Sequence, residues 1–274
     1  MFGIYKNGLL GYIFTHHNEN FSGSDHEKKF NINLKIMGPE WYYADKSKVT
    51  YNRNKYGHRS PPLNSLDLDN YILVTGCSHT EGIGLEEDKR YGNLLAKYLN
   101  ANFYNLALGG TGQDAVFYNL LQWKLNVPKS PKLLVYQVPT DGRFLKYNDD
   151  PHDKHVYSPL GIWSTNHGAE KFIYYGDSID LNYWETQKTL NLGVITKMFD
   201  CPIITLNYNS ALKNPLIPKY KNDLQWDIED MARDCSYQDI NSNKKIAHPG
   251  INSNKKIAHQ IFEFYKSYTT YKFK

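Results

Sequence analysis

Four short stretches carry residue types suited to acyl chemistry. The first, GCSHTEG at residues 76–82, sets a lone serine, Ser78, where the apolar run YILVT gives way to a glycine-rich turn. A serine hydroxyl is a weak nucleophile at neutral pH. It needs an adjacent base, and the base needs an orienting carboxylate. The late HPG at residues 248–250 supplies a histidine, His248, ahead of a helical pattern, with Asp234 and Asp239 upstream. The other two stretches, ALGGTG at 107–112 and VPTDGR at 138–143, also follow apolar runs. Glycines at such places let backbone N–H groups approach a ligand, and a following helix N-terminus favours developing negative charge.

Each of these residues has a blander reading. Ser78 fits a helix N-cap, His248 a loop histidine before proline, and Gly109, Gly110 and Gly112 a tight turn. Cys77 fits a small residue packed at a strand end, and His79 a surface or site-wall residue. The HDKH cluster at His152, Asp153 and His155 tempts a metal reading, but no further ligands stand at suitable spacing, and solvation is the better account.

The elements that must position these groups alternate from residue 69 onward. YILVTG, NFYNLAL, KLLVYQV and CPIITLNY read as short buried strands. Between them YGNLLAKYLN (inward Leu94, Leu95, Tyr98, Leu99), GQDAVFYNLLQWKLN (inward Val116, Leu120, Trp123, Leu125) and TQKTLNLGVITKMF read as helices. Strands alternating with helices favour a parallel sheet covered on both faces, with ligands beyond the strands' carboxyl ends. The expectation is an irregular N-terminal extension over 1–66 and an α/β domain over 67–274, with a loop-rich insertion near 145–182. Within the extension, HHNENFSGSDHEKK reads as a loop, NINLKI and KVTYN as short strands, and GHRSPPLNS as a connector, because Pro-Pro forbids helix and ladder pairing. Near the end, YQDINSNKKIA (237–247) is followed at once by HPGINSNKKIA (248–258), identical at eight of eleven positions. This is a tandem duplication. The second copy is expected to open the last helix near Asn252 or Ser253, with Ile257, Ile261, Phe264 and Tyr265 inward.

Composition narrows the classes. The 274 residues are 41% hydrophobic and 22% charged, enough for a sizeable core. The net charge of +4 comes from dispersed basic residues, which points to a solvated surface rather than nucleic-acid binding. Three cysteines without framework spacing argue against a disulfide scaffold and fit a reducing compartment. The first twenty residues lack a basic start followed by a long apolar run, and no run approaches the ~18 apolar residues of a membrane span. A cytoplasmic protein with no membrane or nucleic-acid partner is the expectation, its oligomeric state left open.

Taken together the motifs resemble those of the SGNH (GDSL-type) hydrolases. GCSHTEG looks like that family's first motif, NLALGGTG is similar to the second, and ARD…HPGINSNKKIA to the last, where aspartate and histidine stand three apart before the C-terminal helix. The YNRNKYGHRS lead-in (51–60) is also similar to that of some relatives. The resemblance, over about residues 69–265, implies a flavodoxin-like three-layer α/β/α sandwich and ester hydrolysis without cofactor or metal. Ser78 would be the nucleophile, His248 the general base and Asp234 (or Asp239) the orienting carboxylate. The N–H groups of Ser78 and Gly110, with Thr140, would form the oxyanion hole. Three features depart from the family pattern. Cys77 replaces the aspartate before the serine. Thr140, or Gln137 earlier in the strand, stands where an asparagine is usual. Tyr237, not histidine, follows three after Asp234, with His248 one repeat later.

The reading is therefore a serine esterase or deacetylase. The expected substrate is a small-molecule ester, such as an acylated sugar held by aromatic residues like Tyr136, Trp163, Tyr174 and Tyr175. The rivals are a binding module that kept the fold and lost part of the machinery, and an acyltransferase using the same residues.

Overall fold

The computed structural model describes residues 2–13, 18–139, 143–147, 157–160, 181–207, 223–225, 229–237 and 248–272. At the N-terminus β1 (Phe2–Ile4) and β2 (Leu10–Tyr12) form an antiparallel ribbon, Phe2 opposite Tyr12. Helix α1 (Glu27–Met37) is capped by the His26 ring, which accepts from the Lys29 N–H, and ends at Gly38 with φ of 78°. The alternating part then runs β3 (Tyr71–Thr75), α2 (Ser78–Glu81), α3 (Tyr91–Leu99), β4 (Asn102–Asn105), α4 (Gln113–Asn126) and β5 (Leu133–Gln137). Two strands, β6 (Phe144–Tyr147) and β7 (Tyr157–Leu160), precede α5 (Leu181–Met198), β8 (Ile203–Asn207), β9 (Asp223–Gln225) and α6 (Ile251–Lys272).

The main sheet has the order β4-β3-β5-β8-β9, and every pairing in it is parallel. Counting from β3, that is the 2-1-3-4-5 order of flavodoxin-like doubly wound sheets. The period-two alternation of the strands divides the core. Tyr71, Leu73, Leu134 and Tyr136 face α4 and α5, packing on Val116, Leu120, Trp123, Leu192 and Ile195. Ile72, Val74, Leu133, Val135, Ile204 and Leu206 face α3 and α6, packing on Tyr91, Leu95, Ile257 and Ile261. The result is a three-layer α/β/α sandwich. Among the described residues, no helix is long and apolar enough to cross a membrane.

The N-terminal segment is not an irregular appendage. NINLKI is helical within α1, not a strand. Its N-I-N-L-K-I alternation mimics period two, but the buried face is Phe30 and Asn33, and Asn33 earns burial through hydrogen bonds: its amide donates to the carbonyls of Arg233 (3.0 Å) and Cys235 (2.7 Å). KVTYN contributes only a bridge, Glu19 to Tyr51. The β1–β2 ribbon joins β7 and β6 in a second, four-stranded antiparallel sheet. It is tied to α4 by Asn119, whose amide exchanges hydrogen bonds with the Leu10 backbone at 2.8 and 3.0 Å. Of the dispersed basic residues, Arg53, Arg59, Arg90 and Arg233 are buried rather than solvated.

Smaller expectations also shift. Leu125 is 70% exposed, because α4 ends at the next residue and turns that position to solvent. Helix α6 begins at Ile251, ahead of Asn252 and Ser253. Its start is capped from outside by the Asp230 carboxylate, which accepts from the N–H groups of Asn252 (2.9 Å) and Ser253 (2.8 Å). The expected 145–182 insertion lies mostly outside the described residues, as do His152, Asp153 and His155.

Candidate active site

The turn that carries Ser78 is built by β3 running straight into α2. Gly76 (φ +154°) lets the chain pass against β5: a Cβ there would lie 2.5 Å from the Gln137 side-chain oxygen. That oxygen accepts from the Cys77 N–H (2.8 Å), while the Gln137 amide nitrogen donates to the Val138 carbonyl (2.6 Å). Gln137, 1% exposed, thus holds the turn rather than opening onto the site. Ser78 occupies the first position of α2 at the carboxyl end of β3. Helix α2 stops after one turn at Gly82, which is left-handed at φ 78°.

His248 arrives from the far end of the chain. Its Nε2 lies 2.7 Å from Ser78 Oγ, and its Nδ1 lies 2.6 Å from Asp234 Oδ2. With Nδ1–H donated to the carboxylate, Nε2 is left to accept the serine proton, as a base for that hydroxyl must. Asp234 Oδ2 also accepts from Ser24 Oγ (2.6 Å), a residue of the N-terminal segment. Gly84, left-handed at φ +77°, gives the carboxylate room, since a Cβ there would sit 2.6 Å from Asp234 Oδ1. Of the two aspartates open from sequence, Asp234 is the one paired; Asp239 lies outside the described residues.

The electrostatics follow from this chain of contacts. Burial alone raises the Asp234 carboxyl. The His248 charge and hydrogen bond, with the Ser24 bond, outweigh it and leave Asp234 below the usual carboxylate value. Burial alone lowers His248. The Asp234 charge and hydrogen bond outweigh it and leave His248 above the ordinary histidine value. Cys77 is fully buried, which raises a thiol, yet the adjacent His79 (Nδ1 at 3.4 Å) and Arg143 bring it down to about 5. His79 is a wall of the site, 7% exposed, its ring edge-on to His248 at 5.0 Å.

The second motif meets the first at Gly109, where an added Cβ would lie 3.6 Å from Ser78 Cβ. Gly110 follows in the left-handed region at φ 80°. Among the described residues no hydrogen bond engages the N–H of Ser78 or of Gly110. Thr140, Trp163, Tyr174 and Tyr175 lie outside the described residues. Tyr136 is no sugar wall: it is 1% exposed, inside the core on β5.

The duplication is accommodated without separating the dyad. Residues 229–237 and 248–250 lie side by side: Ala232 N–H donates to the His248 carbonyl (2.9 Å), His248 N–H to Cys235 Sγ (3.0 Å), and Met231 bridges Pro249. Tyr237, three after Asp234, packs edge-on against Trp41 at 5.4 Å. Burial pushes its hydroxyl up to about 12, so it is no base at neutral pH.

What sequence reasoning missed is the lead-in segment. Arg53 pairs with Glu81, Arg59 donates to the carbonyls of Gly82 and Leu85 (2.7 Å for the latter), and Ser60 Oγ accepts from the Asn105 N–H (3.0 Å). The YNRNKYGHRS stretch is thus a clamp around the turn that carries Ser78. Its signal was a density of hydrogen-bonding side chains without apolar periodicity.

These features define the class: a flavodoxin-like α/β/α sandwich with a hydrogen-bonded Ser-His-Asp chain at the carboxyl ends of its strands. No family model matches the sequence, and no curated protein matches it either. Among solved structures it is similar to a carbohydrate esterase family 2 enzyme with a carbohydrate-binding domain from Corynascus thermopiles (Myceliophthora fergusii). There the identity is 15% and the TM-score 0.41, over 72% of this chain and 66% of that one. It is similar also to an acetyl xylan esterase from the rumen bacterium Butyrivibrio proteoclasticus (14%, TM-score 0.43, 73% of this chain and 64% of that one). A third is a member of the lipolytic G-D-S-L family from Veillonella parvula (12%, TM-score 0.32, 73% and 72%). The chain spans just under two thirds of the first two. The fold class rests on the strand order, and the chemistry on the site geometry.

Proposed function

We propose that this protein is a serine ester hydrolase. The observation that carries the reading is the unbroken chain Ser78 Oγ–His248 Nε2 (2.7 Å) and His248 Nδ1–Asp234 Oδ2 (2.6 Å), assembled from opposite ends of the sequence. Ser78 Oγ attacks the acyl carbonyl while His248 Nε2 takes its proton. The imidazolium formed is stabilised by Asp234, and the oxyanion is received by the N–H groups of Ser78 and Gly110. Collapse expels the alcohol, which leaves with the proton from His248. Water, activated by the same imidazole, then frees the acid and restores the serine. The reaction as written needs no metal or cofactor.

A serine–imidazole contact within about 3 Å separates a working nucleophile from a binding module that has lost its machinery. The 2.7 Å contact therefore favours the enzyme. A small acyl group on a carbohydrate is the substrate class we put first. An acyltransferase is distinguished by whether acyl groups pass to an added alcohol faster than to water.

The test is fluorophosphonate labelling read by mass spectrometry. The wild type should be modified once, at Ser78, with no modification of Ser78→Ala and a rate lowered by about 10³-fold or more in His248→Ala. A folded wild type that is never labelled would sink the proposal.

A further inference from the structure

Three residues after the nucleophile, on the same single turn of α2, stands a carboxylate with no exposure to solvent, Glu81. Its two oxygens do different work. Oε1 takes the Arg53 guanidinium at 2.8 Å, a pair with side chains 2% and 0% exposed. Oε2 accepts from the Gly109 backbone N–H at 2.6 Å and from the Tyr12 hydroxyl at 3.0 Å, and that hydroxyl also lies 3.0 Å from the Gly109 nitrogen. Arg53 is held in turn by Ser22 Oγ (2.8 Å), and its guanidinium lies 4.3 Å from the Tyr12 ring centre. A salt bridge serving only to hold the segment against the domain would need one of these oxygens. The second is spent on the N–H of Gly109, the residue before Gly110.

Resting on the serine-hydrolase reading above, we propose that Glu81, fixed by Arg53 and Tyr12, is a positioning residue for the oxyanion hole. It pins Gly109 so that the next N–H, that of Gly110, is held ready for developing charge. A carboxylate-to-amide bond is shorter and stronger than a neutral one, and burial of the Glu81 side chain limits its screening. Ser78 and Glu81 share one helical turn, so nucleophile and oxyanion donor are fixed to the same rigid unit. Gly109 must be glycine for this: a Cβ there would come within 2.9 Å of both Glu81 Oε2 and the Tyr12 hydroxyl. The N-terminal segment, which supplies Tyr12 and Arg53, is on this account part of the catalytic apparatus.

The test compares wild type, Glu81→Gln and the double variant Arg53→Met/Glu81→Gln with 4-nitrophenyl acetate, a fluorophosphonate and backbone amide NMR. The double variant leaves no unbalanced buried charge should the single one fold poorly. The expected result is kcat down about 10- to 100-fold with KM within about twofold, less than the loss of an oxyanion donor outright. The acid limb of the pH profile stays in place, because the His248–Asp234 pair is untouched. Labelling reaches the same end point at a proportionally slower rate, and the Gly109 amide proton moves upfield and exchanges faster. An unchanged kcat per labelled site, or an unmoved Gly109 amide, overturns the inference even if melting temperature drops. A wild type that never labels overturns the hydrolase reading, and this inference with it.

Discussion

At the scale of single residues the site is a competition between burial and charge, and charge prevails at both members of the dyad. In the proposed mechanism His248 acts as the base only when Nε2 is unprotonated, so activity should rise as pH climbs through its pKa. Burial by itself would put that pKa below the ordinary value of about 6.5, and the Asp234 carboxylate lifts it above. The acid limb of kcat/KM is therefore expected to have its midpoint above about 6.5. In Asp234→Asn the lifting charge is gone while burial stays, so the midpoint should move to lower pH. At the same time kcat falls by about 10⁴-fold, because the wrong tautomer presents Nε2–H to the serine. A pH–rate profile of both proteins from pH 4 to 9 checks the sign. A midpoint that does not move would mean the limb belongs to another group.

At the scale of elements, the question is what holds Asp234 in place, since it lies on a short irregular segment rather than a strand or helix. The answer is its neighbour. Arg233, fully buried, donates to the Asp25 carboxylate (2.6 Å), and Asp25 also accepts from the Tyr51 hydroxyl (2.6 Å), which in turn accepts from the Gly84 N–H (2.8 Å). Removing one partner of such a pair strands the other charge in the interior. Asp25→Ala is expected to cost about 3–5 kcal/mol, read as a lower urea midpoint at unchanged m-value. This network also explains which elements were legible from sequence. The strands β3, β5 and β8 and the helices α3 and α4 announce themselves because their buried faces are apolar, and period is all that apolar burial needs. That Ser78, His248 and Asp234 would meet was legible because few residue types can do the work proposed for them. Helix α1 and the lead-in clamp were not. Their buried polar groups, Asn33 on α1 and Arg53, Asn54, His58 and Arg59 in the lead-in, and the Asp25–Arg233 pair beside them, read as surface until their partners, distant in sequence, are known. Strand β9, only three residues at the sheet's edge, offers too short a pattern for periodicity to detect.

At the scale of the whole molecule, the duplication poses a sharper question, because it stands between two members of the proposed triad. The chain on either side of it is already joined, by the Ala232–His248 bond, the Cys235–His248 contact and the Gly250 N–H bond to the Asp230 carbonyl (2.7 Å). These contacts do not involve the first copy beyond Tyr237. Deleting residues 237–247 would place His248 three after Asp234 and leave all of them available. Among the described residues the losses are the Tyr237 ring on Trp41 and its hydrogen bonds to Asn33 (3.3 Å) and Met231 (3.3 Å). An aromatic pair contributes about 0.5–1.5 kcal/mol beyond its area, and a shorter loop returns a part of that. A folded protein with kcat/KM within about fivefold of the wild type is the expected outcome. Deleting residues 248–258 instead gives a chain of the same length, differing from the first deletion only in reading Tyr-Gln-Asp where the other reads His-Pro-Gly. It keeps the helix-forming repeat and puts Tyr237 in the base position, where a phenol of ordinary pKa near 10 cannot accept the serine proton at neutral pH. Assayed side by side with 4-nitrophenyl acetate, the first deletion should turn over and the second should not, at similar melting temperatures. If both are dead though folded, the first copy has become part of the site. If both are active, His248 is not the base.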